Sequence, residues 1–230
     1  MSQISIRELL LYKDNQLIAF NKPAGLPTQA DKTGDVSLLQ AAQNYVKHPL
    51  QLLHRIDRPV SGLLLFAQKE SSARALRRQW EQGLVEKTYL AFTAERPPED
   101  EGLLIHYLGK SKHHNRSRAF EEEAPHRKRA ELQYRILAST EHYHLWEIRL
   151  LTGRHHQIRA QLSAIGCPVK GDVKYGARRG NKDRSIHLHA WKISLLHPST
   201  QKRLEITAPL PQGDALWEWI AQKEWLLQQS

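Results

Sequence analysis

The most chemically informative segment of the sequence holds one carboxylate between two guanidinium groups. Residues 54–62 read HRIDRPVSG, so Asp57 lies between Arg55 and Arg58, just ahead of an apolar run at residues 63–66. Positive charge near an aspartate favours the ionised carboxylate, and the same charge attracts phosphate groups. An enzyme that attacks nucleic acid with a carboxylate rather than a metal needs this combination. The alternative is a solvated surface ion pair of small energetic consequence.

The order of residues in this segment is more specific than its charges. It resembles the catalytic motif of the RluA family of pseudouridine synthases, written His-Arg-Leu-Asp-x-x-Thr-Ser-Gly. The chain replaces Leu by Ile56 and Thr by Val60, and it keeps His54, Arg55, Asp57, Ser61 and Gly62. The first replacement conserves shape and hydrophobicity. The second removes a hydroxyl that could tie down the loop, so loop ordering is the property it affects.

Other segments resemble the same family. Residues 22–25 resemble its N-terminal Lys-Pro-x-Gly turn, residues 87–89 its second motif and residues 152–159 its third. Residues 171–176 and 187–198 fit the continuation of the third motif. Each match alone is weak, but the probability that all of them occur by chance in this order and spacing is very small. The chain is therefore identified as a member of the RluA family.

The resemblance implies isomerisation of uridine to pseudouridine in RNA, in which the bond from C1′ to N1 breaks and C5 joins C1′. It implies that Asp57 is the essential aspartate, Tyr89 the active-site tyrosine and Arg159 the arginine that pairs with Asp57. The carboxylate would act at the sugar as nucleophile or base, and both attack at C1′ and a glycal route stay open. No step needs a metal or redox group, so no cofactor is expected.

These assignments also make physical sense. A guanidinium about 4 Å from a carboxylate favours its ionised form by roughly 4 kcal/mol at an effective dielectric near 20, before desolvation is subtracted. Tyr89 could stack on uracil and help to remove the C5 proton, although a tyrosine in a strand is ordinarily a core residue. Arg159 lies at the border of the apolar face of its helix, which suits a side chain that reaches into a half-buried site.

Four further residues are expected to bind RNA. A base in paired or stacked RNA must be flipped out at a cost of a few kcal/mol, and Arg55 is expected to fill the vacated space. Arg154 and Lys22 are expected to contact phosphate, although either could be an ordinary surface cation. His54 is expected to order the loop rather than to act as an acid.

Positive charge is concentrated in two internal windows. Residues 110–129 carry seven Lys and Arg against three Glu, and residues 149–184 carry nine Lys and Arg against two Asp. The net charge of the chain is +10, so the remainder is close to neutral. This distribution predicts basic surface facing a polyanion, with a solvated basic loop as the alternative for the first window. The partner is expected to be tRNA or rRNA, and the sequence does not distinguish them.

Composition bounds the remaining properties. The 40% hydrophobic content of the 230 residues supports a real core, and a single cysteine, Cys167, excludes an internal disulfide framework. Neither a signal peptide nor a membrane span is visible, so a soluble, cytoplasmic protein is expected, with a monomer as the default. One domain is expected over residues 1–230, without the S4-type module that often precedes this catalytic domain in relatives.

Apolar periodicity predicts an α+β fold, and the resemblance implies a bent, mostly antiparallel mixed sheet flanked by helices and loops around a central RNA-binding cleft. The polar span at residues 110–129 is expected to be mobile without RNA. A hairpin is predicted within residues 4–20, and strands at residues 63–67, 84–92, 132–137, 145–151, 185–196 and 203–208. Helices are predicted at residues 37–46, capped by Asp35 or Ser37, after Ser71 or Ser72, after Gly153, and at residues 214–227.

Two other functions compete with this one. The 13 histidines, with pairs at residues 113–114, 155–156 and 187–189, invite a metal site, but their spacing matches neither a His-Glu-x-x-His helix nor a Cys/His finger. The second alternative is a non-catalytic RNA-binding or chaperone protein on the same fold. The presence of Asp57, Tyr89 and Arg159 argues against it, because function must be argued from the site.

Overall fold

The computed structural model describes residues 5–111 and 115–223. The chain forms two compact units. The first unit is Met1–Lys87 with His189–Gln222, and the second is Thr88–Leu188 with Lys223–Ser230. The single domain expected over residues 1–230 stays a prediction.

The described residues combine strands and helices, which confirms the α+β prediction. The strands are β1 (Leu10–Lys13), β2 (Leu17–Lys22), β3 (Gln51–Leu52), β4 (Ser61–Ala67), β5 (Glu86–Thr93), β6 (Glu101–Lys110), β7 (Ser117–Phe120), β8 (Lys128–Ser139), β9 (His144–Leu150), β10 (Leu188–Leu196) and β11 (Arg203–Thr207). The helices are α1 (Leu38–Val46), α2 (Glu70–Glu81), α3 (Gln157–Ala164) and α4 (Ala215–Ala221), with a 3₁₀ turn at Val173–Tyr175. Within the described part of the chain, no helix is long and apolar enough to cross a membrane.

Strand β4 lies at the centre of the sheet in the first unit. All of its residues are buried, as its apolar run predicts. Strands β2 and β3 pair with β4 in antiparallel fashion and β10 pairs with it in parallel, while β1 and β11 extend the sheet from β2 and β10. Leu17, Leu65, Leu76 and Ile193 belong to one buried cluster that joins α2 to this sheet. The loop that precedes β4 therefore starts from a rigid base.

The second unit is built on an antiparallel sheet with the strand order β5–β9–β8–β6–β7. Strand β7 pairs with the end of β6, from Tyr107 opposite Phe120 to Lys110 opposite Ser117. The polar span at residues 110–129 thus contains a paired strand between its charged ends. The sequence analysis predicted neither β6 nor β7, because β7 has only four residues and only two of the ten residues of β6, His106 and Leu108, are buried.

The helix boundaries follow capping chemistry. Of the two predicted caps of α1, Asp35 and Ser37, it is Ser37 that caps the helix, and its hydroxyl accepts a hydrogen bond from the backbone N–H of Gln40. The predicted caps of α2 are wrong, because Lys69 precedes the helix and Ser72 lies inside its first turn. The Ser72 hydroxyl instead donates to Gln16 Oε1 at 2.6 Å. Helix α4 ends at Ala221 with Gln222 as its C-cap, so it stops earlier than predicted, and residues 224–227 of the predicted span lie outside the described residues.

Candidate functional site

Asp57 lies on the loop between β3 and β4, and it is half-buried. The backbone N–H of Val60 donates to the carbonyl oxygen of Asp57 at 3.0 Å and closes a tight turn. The Val60 side chain is buried, with 2% exposure. The turn that carries the carboxylate is therefore closed through the backbone of Val60 and needs no hydroxyl at that position.

A second set of hydrogen bonds comes from the turn at residues 22–28. The Thr28 hydroxyl donates to the carbonyl oxygen of Ile56 at 2.8 Å, and both groups are buried. The backbone N–H of Gly25 donates to the carbonyl oxygen of Arg58 at 2.8 Å. Gly25 has a φ of 87°, in the left-handed region that favours glycine. The backbone is thus fixed on both sides of Asp57 by the Lys-Pro-x-Gly turn and the residues that follow it.

Lys22 lies at the base of this arrangement. It is fully buried, and its ammonium group donates to the carbonyl oxygens of Pro23, Leu26 and Arg58 at 2.9, 2.7 and 3.3 Å. Burial lowers the pKa of Lys22 to about 7, while the charge of Asp57 acts in the opposite direction. The expected phosphate contact is wrong, because a side chain with no exposed surface cannot reach a phosphate. The sequence showed the cation but not the carbonyl groups that enclose it.

Arg58 holds the segment that follows the turn, a role that the sequence did not suggest. Its Nε donates to the carbonyl oxygen of Gly25 at 2.8 Å and its Nη1 to the Thr33 hydroxyl at 2.9 Å. The guanidinium also forms ion pairs with Asp31 and Asp35. Hydrogen bonds from Thr33, and to a lesser degree Arg58, lower the pKa of Asp31. The hydrogen bond from Arg58, followed by that from Thr33, lowers the pKa of Asp35. Arg58 is thereby committed to ordering the loop.

The Ser-Gly end of the motif packs against a later motif of the chain. In the parallel pairing of β4 with β10, Ser61 lies opposite His189 and Gly62 opposite Ala190. The Ser61 hydroxyl and His189 Nδ1 are hydrogen-bonded at 2.9 Å. A side chain at Gly62 would place its Cβ 2.2 Å from the Ala190 carbonyl oxygen, so the close approach of the two strands requires glycine.

His54 faces the interior of the first unit. Its Nε2 accepts a hydrogen bond from the backbone N–H of Leu65 at 3.1 Å, and its ring lies 5.8 Å from the Trp80 ring. Burial lowers the pKa of His54 to about 3, and the charge of Lys87 acts in the same direction. The imidazole is therefore neutral at physiological pH and joins the start of the loop to β4.

The two exposed arginines of the predicted site differ in their contacts. The Arg55 side chain is exposed and makes no hydrogen bond or ion pair with the other described residues. Arg154 is also exposed, but its Nε donates to the carbonyl oxygen of Arg129 at 3.0 Å. Arg55 is thus available for RNA, and Arg154 is anchored to the start of β8.

Tyr89 belongs to β5 in the second unit. It pairs with Ile148 of β9 and is 8% exposed. Lys87, two residues earlier, is half-buried, and burial lowers its pKa to about 8. An ammonium group with this pKa is partly neutral near pH 8, which is unusual for a lysine.

Arg159 is held by an ion pair within the second unit. It lies in α3 with 4% exposure, and its Nε and Nη2 donate to the Asp172 carboxylate at 2.6 and 2.9 Å. Its guanidinium carbon lies 4.8 Å from the centre of the Tyr175 ring. The predicted pairing of Arg159 with Asp57 joins residues of the two separate units and stays a prediction.

Comparison with known proteins decides the family. Residues 16–164 match the RNA pseudouridylate synthase family. The chain belongs to this family. The match includes Asp57, Tyr89 and Arg159, and it covers more than half of the chain. As an RNA pseudouridine synthase the chain is an isomerase, which confirms the activity predicted from the sequence.

Two relatives illustrate the similarity to other pseudouridine synthases. Ribosomal large subunit pseudouridine synthase C of Rickettsia prowazekii is 35% identical over 214 residues, which is 90% of this chain and 69% of the relative. An uncharacterized RNA pseudouridine synthase of Bacillus subtilis, YhcT, is 30% identical over 213 residues, 88% of this chain and 68% of the relative. Both alignments extend over most of this chain.

Two solved structures share the fold of this pseudouridine synthase. Human RNA Pseudouridylate Synthase Domain Containing 1 has a TM-score of 0.76 at 23% identity and covers 97% of both chains. Human RNA Pseudouridylate Synthase Domain Containing 4 has a TM-score of 0.73 at 24% identity and covers 90% of both chains. At this level of identity the two structures show the fold alone.

Histidine side chains of the synthase contact protein groups in both units. His189 is bonded to Ser61, and His155 to the Ser117 hydroxyl at 2.9 Å. His187 Nδ1 lies 3.1 Å from the side-chain amide nitrogen of Asn181. The described residues contain no group of three or more His, Cys, Asp or Glu side chains that could hold a metal ion. The pair at residues 113–114 lies outside the described residues.

Sequence reasoning missed three residues that support the site. Thr28 and Arg58 fix the Asp57 loop, and Asp172 holds Arg159. Only Arg58 and Asp172 had a visible signal, since both stand inside segments that resemble the family. Thr28 had none, because the spacing of residues in the sequence does not show that a threonine hydroxyl will donate to a distant carbonyl oxygen.

Proposed function

We propose that this synthase isomerises uridine in large-subunit ribosomal RNA, with Asp57 acting on the sugar of a flipped-out nucleotide. The observation that favours this proposal most is that the Asp57 loop is fixed on both sides of Asp57. The carbonyl oxygens of Ile56 and Arg58 accept hydrogen bonds from Thr28 and Gly25. A rigid backbone keeps a reacting carboxylate in the productive geometry and lowers the cost of orientation. The rRNA target rests on the relatives named as ribosomal large subunit pseudouridine synthases.

The proposed reaction conserves all atoms of the nucleotide. The bond from C1′ to N1 breaks, the uracil turns, C5 bonds to C1′, the C5 proton leaves and N1 gains a proton. Asp57 acts as nucleophile at C1′ or as the base that forms a glycal, and both routes need its ionised form. Tyr89 stacks on the uracil and helps to remove the C5 proton. Arg159 pairs with the carboxylate, and the reaction needs no cofactor.

RNA engagement in this proposal falls to exposed cations. Arg55 fills the space that the flipped base leaves, which offsets a cost of a few kcal/mol. Its exposure and its lack of a partner among the described residues support this role. Arg154 contacts phosphate from its position beside β8. The protein acts as a monomer in the cytoplasm, where an rRNA substrate is available in bacteria.

The proposal is tested by mapping pseudouridines in tRNA and large-subunit rRNA from cells that lack the gene. Complementation with wild type is expected to restore at least one rRNA pseudouridine, and Asp57→Asn to restore none. Asp100→Asn is the matched control, because Asp100 is exposed and pairs only with Arg96 in the described residues. Restoration of tRNA pseudouridines alone would overturn the rRNA target but would still support the enzymatic activity. No change in either RNA would overturn the enzymatic function.

RNA binding by the Asp57→Asn variant separates catalysis from folding. The substitution is isosteric and removes only the charge, so RNA affinity is expected to stay within about threefold of wild type. A non-catalytic RNA-binding role predicts instead that Asp57→Asn leaves the cellular phenotype intact. No contact among the described residues favours that alternative.

A further inference from the structure

Tyr175 lies under two guanidinium groups of the second unit. The guanidinium carbons of Arg159 and Arg116 each lie 4.8 Å from the centre of its ring. Tyr175 is 2% exposed, whereas Arg116, which directly precedes strand β7, is exposed. A cation over an aromatic face is attracted by the ring quadrupole, and the attraction is stronger when the pair is desolvated. The ring therefore contacts both a buried and an exposed arginine.

The hydroxyl group of Tyr175 joins two elements of the same unit. It accepts a hydrogen bond from the backbone N–H of Ser117 in β7 at 2.8 Å. It lies 2.8 Å from His156 Nδ1, and His156 is the left-handed N-cap of α3 with a φ of 53°. Having accepted from Ser117, the hydroxyl can donate its own proton to His156. Strand β7 is thus bonded to the start of the helix that carries Arg159.

Ser117 provides a second bond between these elements. Its hydroxyl donates to the carbonyl oxygen of His155 at 2.7 Å and lies 2.9 Å from His155 Nδ1. The rings of His155 and His156 are stacked, with centres 3.8 Å apart. Ser117 is 3% exposed, so its own groups in these bonds are shielded from water. Burial makes their loss costly, because an unpaired donor or acceptor then has no solvent to replace its partner.

Tyr175 is itself fixed by the chain around it. Its backbone N–H donates to the carbonyl oxygen of Asp172 at 2.9 Å, and its carbonyl oxygen accepts from the Ser163 hydroxyl at 2.6 Å. Asp172 also forms the bidentate ion pair with Arg159. One short turn therefore presents both a carboxylate and an aromatic face to the same guanidinium.

We propose that Tyr175 is a positioning residue that fixes Arg159 and docks strand β7 at a set distance from it. Substrate phosphates bound by Arg116 and Arg118 are thereby held in register with the reacting nucleotide. The inference rests on the proposed function, in which Arg159 acts at the active site. Arg118 is exposed, its guanidinium carbon lies 5.2 Å from the centre of the Phe120 ring, and its N–H groups make no hydrogen bond or ion pair with the other described residues. The ring and the hydroxyl of Tyr175 have separable tasks.

Two substitutions separate these tasks. Tyr175→Phe keeps the ring and loses the bonds to Ser117 and His156, so affinity for a 30-nucleotide polyuridine RNA falls by about threefold to tenfold, and the single-turnover rate at saturating rRNA transcript falls less than in Tyr175→Leu. Tyr175→Leu also removes the ring, and its single-turnover rate falls at least about tenfold. Tyr134→Phe is the matched control, because it removes a hydroxyl of the same unit that bonds to Glu99.

A double-mutant cycle tests the coupling between Tyr175 and Arg116, which directly precedes strand β7. Arg116→Ala alone is expected to lower the slope of log affinity against log salt by about one unit or less, as for one lost phosphate contact. In the Tyr175→Phe background its effect on affinity shrinks by about threefold or more, because β7 is no longer held. Additive effects would overturn the proposal.

Amide hydrogen exchange gives a readout that needs no activity. Residues 117–120 are expected to exchange at least about tenfold faster in Tyr175→Phe than in wild type, with no change in Tyr134→Phe. Unchanged exchange overturns the docking role, and a folded Tyr175→Leu with the wild-type rate overturns the positioning of Arg159. If Tyr175→Leu does not fold, the exchange and the double-mutant cycle decide alone. Absence of pseudouridine formation by wild type would overturn the proposed function without affecting these two measurements.

Discussion

The hydroxyl of Thr28 donates a 2.8 Å hydrogen bond to the carbonyl oxygen of Ile56, the residue directly before Asp57. The motif that this chain resembles has threonine at the position of Val60, where no hydroxyl is present here. Thr28 belongs to the turn that also supplies Gly25 N–H to the carbonyl oxygen of Arg58. The two bonds enclose Asp57 along the backbone, so the geometry of the carboxylate depends on a segment about thirty residues earlier in the sequence.

Replacement of Thr28 by valine is expected to lower kcat and leave RNA affinity nearly unchanged. The substitution conserves shape and leaves the buried Ile56 carbonyl without a donor, which costs about 1–3 kcal/mol of stability. Thr28 is 5% exposed and so makes no surface for RNA. Thr28→Ser keeps the hydroxyl and is expected to retain most activity, and Thr140→Val in the second unit is the control. Single-turnover kinetics and thermal unfolding measure both effects; a drop in affinity with unchanged kcat would contradict the positioning role.

Lys22→Met is expected to reduce stability and activity without changing the salt dependence of RNA binding. The variant keeps the apolar stem and removes the bonds to three carbonyl groups. A phosphate contact at Lys22 would instead lower the slope of log affinity against log salt by about one unit. Filter-binding titrations at several salt concentrations distinguish the two outcomes.

Lys22 also predicts a pH dependence of stability. Its pKa in the folded protein is about 7, below the ordinary value of 10.5, because burial disfavours the charged form. Between these values the unfolded chain binds a proton that the folded chain has released, so this residue's contribution to the free energy of unfolding rises with pH from about 7 to 10.5. Urea unfolding of wild type relative to Lys22→Met from pH 6.5 to 9.5 measures it. A difference that does not grow with pH would contradict the assignment.

The supporting elements could be predicted from the sequence to different degrees. The apolar run at residues 63–66 predicted the buried strand β4, and the cap of α1 was predicted to be Asp35 or Ser37 because capping chemistry is local. Strand β7 escaped because its four residues carry too short a pattern. The burial of Lys22 could not be predicted, since it depends on carbonyl groups brought together by folding.

Partners across the chain were the least predictable part of the site. Arg58 follows Asp57 directly in the sequence and was a candidate partner for its carboxylate, yet its guanidinium binds Asp31 and Asp35. Arg159 binds Asp172 within its own unit, a contact that the sequence did not suggest, while its pairing with Asp57, implied by the resemblance, stays a prediction. Sequence spacing specifies which charges are near along the chain, whereas ion pairing depends on which ones the strands and turns bring within reach.

His54 and His189 are expected to remain neutral from pH 5.5 to 8 in the folded protein. Burial lowers their pKa values to about 3 and about 4. Both folded values lie below the ordinary 6.5, so the unfolded chain takes up protons first and stability falls as pH drops from about 6.5 towards 4. NMR titration of the imidazole C–H signals measures this directly, with the urea-unfolded protein as the reference. Movement of either signal near pH 6.5 in the folded protein would show that its ring is accessible to protons.

The loop at residues 178–184 is expected to bind RNA phosphates. Arg178, Arg179, Lys182 and Arg184 are all exposed there, whereas Asn181 is anchored: its Oδ1 accepts from Lys170 Nζ at 3.2 Å, and its Nδ2 donates to the Ser185 hydroxyl at 3.1 Å. Gly171 allows this anchor, because a Cβ there would lie 2.8 Å from the Asn181 amide nitrogen. The cations are therefore presented on a loop that is fixed at its centre.

Replacement of Arg178 and Arg179 by glutamate is expected to weaken binding of rRNA transcripts strongly at low salt and to lower the slope of log affinity against log salt by about two units. The matched control is Arg74→Glu with Arg78→Glu, which changes the net charge equally at exposed positions of α2, outside both basic windows. A general effect of net charge would weaken both variants alike. A local phosphate site weakens only the loop variant, and unchanged affinity of that variant at low salt would exclude the loop from RNA binding.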